Sequence, residues 1–152
     1  MMKKLLLISC ISLSVFGFGQ KKYTKIDDSK INQARLEVGK SFIDEYIKKC
    51  RNKDYSEFKG FLIDKRIEAE LYKKLPKTCE ENGKMELLDF NSAYEYDNLK
   101  YDDPVDVYIY DFKLENLPEL KYASVWVYED KNVIGSIYFS KDKPIYKKKR
   151  KK

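Results

Sequence analysis

Apolar positions along this chain follow two different periods, and the change falls near residue 84. Between Asp28 and Gly83 they recur every three to four residues, the spacing of a helix face. Ala34, Val38, Phe42 and Tyr46 form one line, and Leu36, Gly39, Ile43, Ile47 and Cys50 fill the line beside it. This spacing predicts a long amphipathic helix, capped at Asp28 or Ser29 and running to about Arg51, with Lys, Glu and Arg on a solvated face. Asp54 is placed to cap a short helix containing Phe58, Phe61 and Leu62. Ile67, Leu71 and Leu75 predict a further helix from Asp64, which Pro76 kinks or ends and Asn82-Gly83 stops.

After Lys84 the period is two. Met85 to Tyr96 reads as one strand or two short ones. Val105 to Leu114 is a strand in which Val105, Val107, Ile109 and Asp111 alternate with Asp106, Tyr108, Tyr110 and Phe112. Tyr122 to Ser140 reads as a hairpin around Glu129-Asp130-Lys131-Asn132. A three-residue loop, Asp130 to Asn132, pairs Glu129 with Val133, Val127 with Gly135, Val125 with Ile137 and Ala123 with Phe139, and it puts Asn132 in the left-handed region. Both units then show one aliphatic and one aromatic face, which predicts a shared antiparallel sheet with rings on one side. The pattern does not say which side the first helix covers.

The fold class is therefore α+β: N-terminal helices on a curved antiparallel sheet of about four strands. Helices first, then strands ending in a V-W-V-Y-E-D…I-G-S-I-Y-F hairpin, resembles the cone-shaped roll of the nuclear transport factor 2-like superfamily and the related cystatin-like topology. The resemblance extends to small exported proteins of Gram-negative bacteria and covers residues 28–140. It implies a first helix packed across a curved sheet with a pocket between them. Members of that superfamily include isomerases that use an Asp and Tyr residues there, and others that bind ligands or dimerise. No catalytic residue of this chain follows from it.

Composition changes the picture at the two ends. Met1 to Gly19 has a basic start, a short apolar stretch and small residues before Gln20, and reads as a secretory signal. Lipidation at Cys10, within Leu7-Ile8-Ser9-Cys10, is disfavoured because few apolar residues precede it. The net charge of +6 resides in the ends, because residues 20–140 carry 21 basic against 24 acidic side chains. Residues 141–152 form a basic tail expected to be solvated. A membrane contact through Lys147 to Lys152 is the weaker reading, and export argues against nucleic acid. The domain proper is residues 20–140.

Export leaves Cys50 and Cys79 as an even pair in an oxidising compartment, which predicts a disulfide; two buried thiols are the alternative. The chain contains no histidine, which excludes Ser-His-Asp, Cys-His and histidine-metal chemistry. No metal or cofactor is expected. The candidate binding surface is the aromatic set Tyr108, Tyr110, Trp126, Tyr128 and Tyr138, joined by Phe112. It reads either as a pocket or partner surface or as the helix-facing core. Asp111 reads as exposed near a strand end. The leading expectation is a non-enzymatic module binding a protein or a small apolar ligand, or a homodimer. A small isomerase- or dehydratase-like enzyme and an inhibitor- or immunity-like protein are the alternatives.

Overall fold

The structure, a computed structural model, describes residues 22–97 and 104–145. The expected signal segment with Cys10, residues 98–103 and the run Lys147 to Lys152 lie outside the described residues. Among the described residues two α-helices, α1 (Gln33–Asn52) and α2 (Lys65–Asn82), accompany one antiparallel sheet in the order β1-β2-β3-β4-β5. Its strands are β1 (Lys22–Lys25), β2 (Met85–Asp97), β3 (Val105–Leu114), β4 (Tyr122–Tyr128) and β5 (Val133–Ser140). The sheet has one strand more than the pattern predicts. β1 is the polar lead-in, which pairs with the end of β2 and rests Tyr23 on Tyr96 with ring centroids 4.7 Å apart.

α1 starts later than expected. Asp28–Lys30 forms a single 3-10 turn, and Asn32 is the cap, its side chain accepting from the Arg35 N–H at 3.1 Å. The buried Ile31 precedes that cap, and Leu36 also packs on the core, at the position that staples such a helix start. At the other end Lys53 takes a left-handed φ of 51° and its N–H caps the last carbonyls. The short helix expected from Asp54 does not form. Asp54 instead accepts from the N–H and hydroxyl of Ser56, and Lys49 organises the loop. Lys49, expected on the solvated face, is 2% exposed. Its Nζ donates to the Ser56 carbonyl at 2.8 Å and sits 5.1 Å from the Phe58 ring centre. Burial of a lysine is tolerable here because its donors are used.

α2 continues through Pro76 to Asn82 and ends at Gly83, whose φ is 67°. The sulfurs of Cys50 and Cys79 lie at bonding distance with Cα atoms 5.0 Å apart, joining the last turns of α1 and α2.

The sheet corrects the expected sidedness. β3 and β4 pair Tyr108 with Val125, Tyr110 with Ala123, Val107 with Trp126 and Ile109 with Ser124. Tyr108, Tyr110, Phe112, Ala123, Val125 and Val127 therefore share the helix-covered core with Phe42, Ile43, Tyr46 and Leu75. Val105, Val107 and Ile109 lie on the outer face, sheltered by Tyr94, Trp126, Tyr128 and Ile145. Rings and branched aliphatics meet across strands, so neither face is purely aromatic. Bulky rings opposite small or branched partners suit dense packing of the layer.

The hairpin register holds from Ala123↔Phe139 to Trp126↔Ser136 and then shifts at a bulge. Val127 pairs with Ile134 and Tyr128 with Val133, so the loop is four residues, Glu129 to Asn132, with positive φ at both ends. The three-residue loop with Glu129 opposite Val133 is not what forms. The bulge brings Ile134 into the core, and Gly135 leaves room for the Tyr128 ring, which would stand 3.1 Å from a Cβ there.

α1 crosses the sheet closely at Gly39. A Cβ at this position would lie 2.9 Å from Val125 Cγ1, 3.4 Å from Val127 and 3.5 Å from the Tyr108 ring. Val125 is buried and β-branched, so it cannot swing away. Gly39→Ala is expected to lose stability by on the order of 1 kcal/mol net, because overpacking outweighs the gain of about 1 kcal/mol in helix propensity. Urea unfolding checks this; a stabilised variant contradicts the close approach. Oxidised protein should exceed reduced protein by about 3–4 kcal/mol, the loop-closure value for a separation of 29 residues. Unfolding with and without reductant, paired with thiol counting by mass spectrometry, measures it.

Candidate functional site

The five candidate aromatics do not form one surface. Tyr108 and Tyr110 are buried beneath α1, while Trp126 and Tyr128 are half-buried on the outer face. Tyr138 alone among them is exposed, at 53%. Asp111 is half-buried rather than exposed and accepts from Asn91 Nδ2 at 2.9 Å.

Two of these tyrosines touch a buried carboxylate. Tyr108 donates from its hydroxyl to Asp106 Oδ2 at 2.9 Å, and Arg35 Nη1 stands 3.4 Å from the same oxygen. This cluster ties the first turn of α1 to β3. Burial, then the neighbouring Asp106, pushes the Tyr108 hydroxyl well above the usual tyrosine range. Tyr128 donates to Asp64 Oδ2 at 2.7 Å. Asp64 also caps α2, accepting from the Arg66 N–H at 2.8 Å, and its carboxylate is held by the Arg66 guanidinium. The Arg66 hydrogen bonds hold Asp64 well below the usual carboxylate range despite its burial. Burial and then Asp64 push Tyr128 up to about 12.

Both tyrosines are therefore neutral donors, and both carboxylates are in contact with an arginine. Asp64, held ionised and saturated with donors, is a poor proton acceptor near neutral pH. These clusters fasten the start of each helix to the sheet. The hollow beside Asp106, about 400 Å³ between the lead-in and α1, is lined by mixed charges such as Lys25, Asp27, Lys30 and Glu95.

The larger concavity lies elsewhere. A groove of about 610 Å³ runs between α2 and the edge strand β5. Ile67, Leu71, Leu117, Leu120, Ile137 and Phe139 supply its apolar walls, with Arg66, Glu70, Lys74 and Tyr138 among its polar lining. Asn82 also lines it and is 4% exposed, yet its Nδ2 has no hydrogen-bond partner among the described residues. Positions three and four apart on α2 build one wall, because its stripe faces the core at Leu75 and Cys79 and turns Ile67 and Leu71 toward β5. The volume falls within the range of ordinary ligand clefts.

Asp64, Asp106, Arg35 and Asn82 are not candidates on sequence grounds. Asp64 and Asn82 carry only helix start and stop signals, and no local pattern shows that Arg35 reaches Asp106 across seventy-odd residues. Among the described residues no group of three or more His, Cys, Asp or Glu could hold a metal ion, and no helix is long and apolar enough to cross a membrane. Comparison with protein-family models, with curated proteins and with solved structures found no match.

Asp64 generates a pH prediction. Its folded pKa is depressed below the unfolded value of about 3.9. The stability it contributes is present above that value and is lost as pH falls through the folded pKa. Asn remains a good cap, so Asp64→Asn isolates the charge. The stability gap between wild type and Asp64→Asn should be widest near neutral pH and narrow below about pH 4. A gap that stays constant in acid, followed by chemical denaturation, contradicts the ion-paired reading.

Proposed function

We propose that this chain is an exported, non-enzymatic binding module that receives its ligand in the groove between α2 and β5. The observation that carries the reading is the groove itself: an apolar cleft lies open beside an edge strand with an exposed Tyr138. Arginine contacts on Asp106 and Asp64 favour binding over proton transfer. Export rests on the N-terminal sequence pattern and is supported by the placement of Cys50 against Cys79, a pairing suited to an oxidising compartment. A long helix crossing an antiparallel sheet supports membership of the nuclear transport factor 2-like or cystatin-like rolls, with the groove in place of a pocket beneath the first helix. The aromatics Trp126 and Tyr128 then belong to the outer covering of the sheet, and Tyr138 is the one of the five at the binding edge.

A photoreactive phenylalanine analogue tests the site in producing cells. Placed at position 138 of the full chain it should give a discrete cross-linked species, while the same group at the exposed Leu88, away from the groove, should give none. Equal cross-linking at both positions, or none at either, contradicts the assignment.

A further inference from the structure

The chemistry of the groove specifies its occupant, and this inference rests on the binding reading above. β5 is the last strand of the sheet, so one side of its main chain is unpaired by any strand of the sheet. Near its end the Ser140 carbonyl accepts from Lys121 N at 2.9 Å, on the β4 side. Strand alternation turns the N–H and C=O groups of Ile137 and Phe139 the other way, toward α2.

The start of β5 shows what this edge accepts. Ile134 N donates to the Leu62 carbonyl at 2.8 Å, and the Ile134 carbonyl accepts from Asp64 N at 2.9 Å. Ile63 thereby forms a single parallel bridge to Ile134. The pairing stops because Asp64 caps α2 and the chain turns away. The groove continues from that point along the remaining edge, past Ile137, Tyr138 and Phe139.

At the far end of α2, Asn82 presents a buried donor without an acceptor. Such a group is costly unless an occupant supplies an oxygen. The charges along α2 are largely matched among themselves, Glu70 with Lys74 at 3.1 Å and Lys77 with Glu81 at 3.5 Å. The walls therefore favour an uncharged occupant. From Arg66 to Asn82 the helix rises about 24 Å, the span of about seven extended residues.

We propose that the groove takes an extended, uncharged polypeptide segment of a partner protein as a sixth strand. It continues the parallel sense begun by Leu62–Asp64, with alternate apolar side chains against Leu71 and Leu117 and a main-chain carbonyl accepting from Asn82 Nδ2. Recognition of this kind draws affinity from main-chain hydrogen bonds and specificity from alternate side chains.

The test uses the full chain and a pool of acetylated, amidated heptapeptides with apolar residues at alternate positions. Binding should slow amide exchange at Ile137 and Phe139, and N-methylation of alternate peptide amides should abolish it. Asn82→Leu, screened for an unchanged melting temperature, should bind about tenfold more weakly. Should that variant not fold, the N-methylated peptides still test strand pairing on the unaltered chain. Protection that maps to the outer face around Trp126 overturns the proposal and leaves a binding module. So does a pool that fails to bind while native mass spectrometry shows a homodimer or a retained small apolar ligand. If the pool does not bind, no ligand or dimer is found, and position 138 does not cross-link, the proposal and the binding reading fall together.

Discussion

The close crossing of α1 over β4 at Gly39 is the contact on which the remaining architecture depends. With no side chain at that point, the helix backbone comes down onto Val125 and Val127, and the neighbouring Phe42, Ile43 and Tyr46 reach the sheet as a wide apolar stripe. Each end of the helix is then fixed by separate chemistry. Arg35 meets the Asp106 carboxylate, to which Tyr108 also donates, at the first turn, and Cys50 meets Cys79 at the last. Lys49 gathers the connection to α2 around its ammonium group. A helix seated and clamped in this way leaves α2 only the flank beside β5, and the groove is the space between them.

The two tyrosine–carboxylate contacts resemble acid–base chemistry by residue type and act as fasteners in three dimensions. A carboxylate serves as a base when burial or a like charge raises its proton affinity. Arg66 does the opposite at Asp64. The hydroxyl of Tyr128 is spent on the same carboxylate, which joins the N-terminus of α2 to the sheet. The proposed binding surface is the part that is not fastened: an edge strand, apolar walls and the Asn82 amide, whose Nδ2 is among the buried atoms without a partner.

Much of the fold is legible in the order of residues. The helical stripe of α1, the line Ile67-Leu71-Leu75 of α2, the alternation of β3 and most of the hairpin register follow from period alone. The pairing of Cys50 with Cys79 in space follows from where the two helices end. The sidedness of the sheet is not legible. β3 is central and covered on both faces, so Val107 and Tyr108 are both buried and alternation carries no polar-versus-apolar label. Only the β3–β4 register, Tyr108 opposite Val125, decides which side chains share a face, and nothing local fixes that register. The groove is hidden for a related reason: Leu71 and Phe139 are far apart in sequence, and Asn82 signals only a helix stop.

The measurement closest to the centre of this account is a set of NMR distance contacts from the Gly39 α-protons in isotope-labelled protein. A helix seated at Gly39 predicts cross-peaks to the methyl groups of Val125 and Val127 and to the Tyr108 ring. Cross-peaks to Val107 or Trp126 instead would put the helix on the opposite face of the sheet and contradict it.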